Sequence, residues 1–313
     1  MKSLILLFSA LMLSITCQAN TLFYQQGIET SPNHKKASKK PDHDKQTVDK
    51  LTTLDALEKI KWEVGLVAAE ALREGFSDWN WGSKSSFNIA HEGWLGDSAK
   101  EGGADKFGHM YSSYLINEIF TKQLMKKTNN KSAAAKKAAL FSSSIMFWLE
   151  VADGFSRYGF SYQDVAFNSL GVGLSYLRNT VPQLDKKFDL RMSYKPTEHN
   201  SDRPVIDYSG HTNLFVVKLA GFNQFKSTPL KYLELQLGYH TEGYAKGEKQ
   251  YYKEKRREVL FGVGLNLSEA VFKPIKKHTD NSFVEYADTF FQYYQAPGIF
   301  TNEPIKVSKI PFK

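Results

Sequence analysis

Apolar residues recur at every third or fourth position through much of the chain between residues 53 and 180. In the first such stretch they stand at Leu54, Leu57, Ile60, Val64 and Val67. This spacing places apolar side chains on one side of an α-helix. The same pattern predicts three further helices, over residues 104–126, 133–151 and 161–178. Pro182 ends the last of these, so the segment 53–180 is predicted to be a bundle of about four helices.

The period of the pattern changes to two after the segment 181–211, which is predicted to be an extended connector. Alternation in "NLFVVKLAG", "YLELQLGYH" and "EVLFGVGLNL" predicts strands. In the second of these, Leu235 and Leu237 share one face and Glu234 and Gln236 the other. The apolar face either covers the helices or meets a membrane.

The region 212–313 is therefore predicted to be a small antiparallel sheet of three to four strands, with a short helix in "VEYADTFFQYYQ" and an extended tail. Together with the bundle, this gives an α+β fold.

The first 19 residues have the pattern of a secretory signal peptide. Lys2 precedes an apolar stretch from Leu4 to Ile15, which is too short to span a bilayer. Two processing routes remain open: cleavage after Ala19, or acylation of Cys17 as in a lipoprotein. Since Cys17 is the only cysteine, cleavage after Ala19 would leave no disulfide and no thiolate ligand. In either case we expect an exported, periplasmic protein.

Residues 20–52 are polar and rich in lysine, which predicts a flexible basic leader. The whole chain has a formal net charge of +8. An exported basic protein is predicted to meet the outer membrane or another anionic lipid surface rather than nucleic acid. The sequence indicates no particular protein partner.

Polar residues stand near one end of three of the predicted helices. Asp105, Lys106 and His109 lie near the start of the second helix, Glu150 and Asp153 near the end of the third, and Ser161, Asp164 and Asn168 near the start of the fourth. Short connections and antiparallel packing bring these ends together. The sequence therefore predicts one polar cluster at one end of the bundle.

The chemistry of this cluster has two interpretations. As a catalytic site, His109 would be a general base oriented by Asp105 and Glu150, with Asp164 in support; as a metal site, His109, Asp105 and Glu150 are the candidate ligands. As a scaffold, the same residues cap helices and pair buried charges. No cofactor-binding motif accompanies them, and the identity of any cofactor stays open.

Two glycines in the fourth predicted helix, Gly171 and Gly173, lower its helix propensity by about 1 kcal/mol each. We expect close helix packing to compensate, together with the small residues Ser169 and Ser175.

Several motifs resemble a known family. "EGWLGDSAKEGGADKFGHMYSSY", "EVADGFSRYGFSYQDVAFNSLGVG" and "DYSGHTNLFVVKLAG" are similar to DUF2279, predicted periplasmic lipoproteins whose helical part is shared by YfiM-like proteins. The resemblance extends over residues 53–300. The Asp-Lys-x-x-His and Asp-x-x-x-Asn-x-x-Gly elements are also similar, more weakly, to VanZ-like membrane proteins. These resemblances imply a cell-envelope location and a helical fold, not a reaction.

Two functions follow as expectations. The first is an uncharacterised, non-catalytic envelope protein at the outer membrane, a predicted lipoprotein that binds lipid or a partner. The alternative is a hydrolase or metal-dependent enzyme that acts on an envelope lipid or a cell-wall precursor through Asp105, His109, Glu150 and Asp164.

Overall fold

The computed structural model describes residues 51–200, 202–245, 247–296 and 300–311. The predicted signal peptide, and all of the predicted leader except residues 51 and 52, lie outside the described residues.

Four long helices form the first part of the described chain. They are α1 (Thr53–Ser77), α2 (Ala104–Lys126), α3 (Lys131–Asp153) and α4 (Tyr162–Thr180). The four helices that the sequence pattern predicted are confirmed. Polar side chains cap the first turns of several of them. At α3 the Asn130 side chain accepts from the Ala133 amide, and at α4 the Ser161 hydroxyl accepts from the Asp164 amide. Among the described residues, no helix combines the length and the hydropathy needed to cross a membrane.

Helix α2 lies at the centre of the molecule. It packs against α1, α3, α4 and the first three strands of the sheet, and it is buried on most of its circumference. Its apolar residues Tyr114, Phe120 and Leu124 belong to the main core. Several of its buried polar residues are paired: Asn117 donates to Ser175 on α4 at 2.8 Å, for example.

Five strands follow the bundle in one antiparallel sheet, in the order β1-β2-β3-β4-β5. They are β1 (Phe188–Tyr194), β2 (His211–Lys218), β3 (Leu233–Glu242), β4 (Glu254–Leu265) and β5 (Phe300–Pro311). Between β4 and β5 lie the short helix α5 (Lys273–Lys276) and the predicted helix α6 (Ser282–Phe291). The α+β class is confirmed, and the sheet has more strands than the three to four predicted.

Two of these strands did not follow from the pattern. Strand β1 lies inside the segment 181–211, which was predicted to be a connector, and β5 lies in the predicted tail. In β1, Leu190 and Met192 join the helical core, whereas Asp189 and Arg191 occupy the other face and are also buried. The charged side chains of β1 are buried because they form ion pairs. In the sequence, the same charged residues are typical of an exposed segment, so the strand was not predicted.

The sheet turns apolar residues outward over β3 and β4. Glu234 is completely buried, whereas Leu235 is 48% exposed. Phe261, which lies opposite Leu237 in the register, is 52% exposed. The outward residues form what we call the apolar sheet face, which consists of Leu235, Leu237, Phe261, Val263 and Leu265. Of the two alternatives that the sequence left open, covering the helices is therefore wrong for these residues.

Candidate functional site

The polar ends of three helices converge, as the helix pattern predicted. We call the group the polar cluster; it consists of Asp105, Lys106, His109, Glu150, Asp164 and Asn168. The chain enters α2 through Gly102 and Gly103, whose φ values of 64° and 94° lie in the left-handed region that favours glycine. Asp105 therefore stands in the first turn of α2 and faces Asp164 in the first turn of α4, near the last turn of α3.

His109 occupies the middle of the polar cluster. Its Nδ1 lies 3.3 Å from Asn168 Oδ1 and 3.3 Å from Glu150 Oε1. Its Nε2 lies on the other side of the ring, 3.8 Å from Asp105 Oδ1 and 3.8 Å from Asp164 Oδ2. These longer separations exceed hydrogen-bond length. The Asn168 amide also donates to Glu150 at 3.2 Å, so Glu150 and Asn168 together fix the Nδ1 side of the ring.

Lys106 is the cation at the base of the polar cluster. Its side chain is fully buried, and its Nζ lies 2.6 Å from Asp164 Oδ1 and 3.1 Å from Asp105 Oδ2. It also pairs with Glu92. A buried carboxylate needs such a partner, and Lys106 supplies one to both aspartates at once.

Four residues of the site were missed by the sequence analysis. Glu92 bridges Lys106 and Lys100, and Lys100 also lies 3.3 Å from Asp105. Tyr208 donates to Asp105 Oδ1 at 2.6 Å, and Trp81 donates to Asp153 at 2.7 Å. All four lie outside the long helices, where no periodicity points to their position. The only available sign was that "HEGWLGDSAK" places polar residues directly before α2.

The charges of the polar cluster shift the pKa values of its members. Burial acts to lower the pKa of His109, but Asp164, Glu150 and Asp105 outweigh it and raise that pKa to about 9. Burial acts to raise the pKa of Asp105, but Lys100, His109 and Lys106 hold it well below its usual range. The centre therefore attracts positive charge, and at neutral pH the imidazole carries a proton.

Glu150 and Asp153 behave differently because burial dominates. Burial raises the pKa of Glu150 to about 8, although the neighbouring His109 acts in the opposite direction. Burial likewise raises the pKa of Asp153 to about 6, against the hydrogen bond from Trp81. For these two carboxyl groups the cost of burying a charge therefore outweighs the attraction of the neighbouring donors and cations.

The remaining predicted site residues have local roles. Ser161 caps α4, as expected, with its hydroxyl 3.2 Å from the Asp164 amide. Asp153 ends α3 and binds the loop through Trp81 rather than joining His109 directly. Asn168 also lines a groove of about 330 Å³ with Leu140 and Phe147, so the polar cluster borders a partly apolar surface between α3 and α4.

A second buried ionic network joins the bundle to the sheet. Arg178 on α4 binds Glu118 on α2 at 2.7 Å and Asp189 on β1 at 2.8 Å. Asp189 also binds Lys218 on β2 at 2.9 Å. Sequence analysis did not find this network, because its members are far apart in the chain and none lies in a recognisable motif.

Comparison with known proteins finds one family whose model matches a segment of the chain. Residues 91–180 match the model of a family described as "Predicted periplasmic lipoprotein (DUF2279)". The matched segment contains α2, α3 and α4 and hence every member of the polar cluster. The chain matches none of the curated proteins and none of the solved structures with which it was compared. The likeness to VanZ-like proteins stays a prediction.

Proposed function

We propose that the protein, whose residues 91–180 carry the sequence of the DUF2279 family of predicted periplasmic lipoproteins, is a non-catalytic envelope protein that rests on an anionic membrane surface. The outer membrane is the surface that we propose for it. The apolar sheet face is the observation on which this proposal depends.

The apolar sheet face has the wrong polarity for a sheet that meets water. A soluble antiparallel sheet normally turns its apolar residues toward the core and its polar residues outward. Here Glu234 and Gln236 are buried while Leu235, Leu237 and Phe261 are each more than 40% exposed. A contiguous apolar patch of this kind is typical of a surface that binds a membrane or another protein.

Lysines that follow β4 in the chain favour a lipid surface over a neutral partner. Beyond the end of β4, the exposed apolar residues Val271 and Ile275 alternate with the exposed Lys273 and Lys277. Lysine stems cover apolar surface while their ammonium groups reach outward. Each lysine near an anionic bilayer contributes about 1 kcal/mol of attraction.

The basic turn after α2 supports the proposal only in part. Lys126, Lys131 and Lys136 are exposed. Lys122 instead lies over the Tyr293 ring at 4.8 Å, and burial lowers its pKa to about 8. Lys122 is therefore not counted in the proposed lipid surface.

The polar cluster fits the scaffold interpretation better than the general-base interpretation. A general base must be unprotonated at its working pH, whereas the carboxylates around His109 raise its pKa to about 9. Ion pairs of the polar cluster also connect different helices: Lys106 on α2, for example, binds Asp164 on α4. The hydrolase alternative consequently has less support than membrane binding.

Vesicle sedimentation tests the proposal. The mature protein is expected to bind vesicles of phosphatidylglycerol and phosphatidylethanolamine, and to bind phosphatidylcholine vesicles at least tenfold more weakly. Added salt is expected to weaken the binding because it screens the lysines. Equal binding to both vesicle types, or to neither, would contradict an anionic lipid surface.

Two matched double variants locate the surface. Leu237→Ser with Phe261→Ser removes two outward residues of the apolar sheet face and is expected to weaken binding about tenfold, because roughly 1.4 kcal/mol of apolar burial is lost. Leu170→Ser with Leu177→Ser removes two exposed leucines from α4 and is expected to leave binding unchanged. A larger loss in the α4 variant would assign the lipid surface to the bundle instead.

A further inference from the structure

The two nitrogens of His109 have different surroundings, and the difference points to a ligand. Nδ1 contacts Asn168 Oδ1 and Glu150 Oε1. Nε2 makes no hydrogen bond to any residue that the structure describes. Instead it faces two carboxylate oxygens from different helices, Asp105 Oδ1 and Asp164 Oδ2, each at 3.8 Å.

Asp105 and Asp164 each direct one carboxylate oxygen toward Lys106 and the other toward His109. Lys106 lies against Asp105 Oδ2 and Asp164 Oδ1, so these oxygens are occupied by an ammonium group. The other oxygen of each carboxylate is turned toward His109, and that of Asp105 also accepts a hydrogen bond from Tyr208 at 2.6 Å. Lys106 thus relieves the repulsion between the aspartates and holds both of them in this orientation.

We propose that Asp105 Oδ1, His109 Nε2 and Asp164 Oδ2 bind one divalent transition-metal ion. One ligand atom from each of the three residues lies within 4.8 Å of the other two. Ions of this kind bind imidazole nitrogen and carboxylate oxygen at about 2.0–2.2 Å, which places tetrahedral ligands about 3.4 Å apart. The two 3.8 Å separations need to close by a few tenths of an ångström, which side-chain rotation supplies.

Glu150 and Asn168 provide the outer contacts that such a site requires. A histidine that binds a metal through one nitrogen usually donates from the other to a carboxylate or carbonyl oxygen, which fixes the ring and its tautomer. Asn168 Oδ1 is an acceptor, so Nδ1 keeps its proton and donates to Asn168 when a metal ion displaces the proton from Nε2. Glu150 therefore supports the ring and is not a ligand, whereas Asp164 takes the third ligand position.

The donor set selects the class of ion. One imidazole with two carboxylates suits Zn²⁺ or Mn²⁺, whereas Mg²⁺ and Ca²⁺ prefer oxygen ligands alone. The His109 side chain is 22% exposed, which leaves a route for the ion and an open coordination position. An ion here would join α2 to α4 in addition to Lys106.

Titration calorimetry of the metal-free mature protein with Zn²⁺ and with Mn²⁺ tests the proposal. We expect one ion per chain for at least one of the two metals, and a higher melting temperature when it is bound. Co²⁺ as a spectroscopic probe should give visible absorption bands that report nitrogen and oxygen ligands. If neither Zn²⁺ nor Mn²⁺ binds, the proposal is overturned.

Variants of similar shape separate ligands from supports. Asp164→Asn and His109→Gln should each weaken binding at least a hundredfold and abolish the Co²⁺ bands, with folding checked by circular dichroism. Glu150→Gln should weaken it about tenfold, in the range of an outer contact. The exposed His278→Gln is the control and should bind like the wild type. Unchanged binding in folded Asp164→Asn and His109→Gln would place the ion elsewhere and overturn the assignment.

Discussion

Arg191 on β1 donates two hydrogen bonds to Glu234 on β3, from Nη1 at 2.5 Å and from Nη2 at 3.0 Å. Strand β2 lies between the two strands, so the arginine reaches across a neighbour. Both side chains are buried, and Arg191 also contacts Asp189 and Gln295. The inward polar face of the sheet is therefore held by charges rather than by apolar packing alone.

Breaking this pair should be costly. Glu234→Gln is expected to lower the free energy of unfolding by about 3 kcal/mol, because it leaves the buried Arg191 without its main counter-charge. Urea unfolding followed by circular dichroism measures the change. Glu58→Gln is the control: Glu58 pairs with Lys61 on the surface, and its loss should cost less than about 1 kcal/mol. Similar losses in both variants would contradict a structural role for the buried pair.

The two glycines of α4 should respond in opposite directions to substitution. A Cβ at Gly171 would lie 2.1 Å from Met110 O and 2.1 Å from Ser113 Oγ on α2. Gly171→Ala should therefore lower the free energy of unfolding by about 2–3 kcal/mol through overpacking. A Cβ at Gly173 meets no atom within 4 Å, and Gly173→Ala should raise it by about 0.5–1 kcal/mol through helix propensity.

Urea unfolding of the two glycine variants checks both signs, and each variant is the control for the other. Stabilisation by Gly171→Ala would contradict the close approach of α2 and α4. The close packing predicted at Gly173 is wrong, because no atom lies within 4 Å of a Cβ placed there. It is also wrong for Ser169, which is exposed. Ser175, in contrast, is buried between Asn117 and Glu118.

His211 should make the protein less stable in mild acid. It is buried, its Nε2 donates to Pro204 O at 2.7 Å, and burial lowers its pKa from 6.5 to about 4, although this hydrogen bond and Asp207 act in the opposite direction. Between these two values the unfolded chain binds a proton that the folded protein does not. The free energy of unfolding should therefore fall as pH drops from about 6.5 to about 4, by at most about 3 kcal/mol.

Comparison with His211→Gln isolates this contribution, since glutamine does not titrate in this range. The difference in unfolding free energy between wild type and variant should shrink as pH is lowered from 7 to 4. The surface variant His278→Gln should show the wild-type pH dependence. A constant difference between wild type and His211→Gln across this range would contradict the inference.

The N-terminus of the mature protein distinguishes the two processing routes. The residues around Cys17 favour cleavage after Ala19, whereas the family description favours a lipoprotein. We expect a mature chain that begins at Asn20. Mass spectrometry of the N-terminal peptide from an expressing Gram-negative host checks this, and an acylated Cys17 would contradict it.

The candidate site shows how far a sequence pattern can reach. The sequence alone predicted that five residues of the polar cluster lie together: Asp105, His109, Glu150, Asp164 and Asn168. Each lies near the end of a regular helix, and short connections leave few ways to pack these helices. Glu92, Lys100, Tyr208 and Trp81 could not be predicted in this way, because they lie on irregular segments whose path depends on the surfaces they cover. Their effects on the pKa values of the polar cluster, such as the lowering of the Asp105 pKa by Lys100, were equally beyond prediction.

The sequence by itself determined the four long helices, the predicted membership of one polar cluster and the alternation of β3 and β4, because these depend on local capping, spacing and chain connection. It also identified the two faces of β3. Only the tertiary structure decided that the charged face is inside and the leucine face outside, because burial of Glu234 depends on Arg191, 43 residues away in the chain. Which face of β3 is buried therefore depends on pairing between residues that are distant in the chain. As a result, the apolar residues of β3 and β4 form an outward surface.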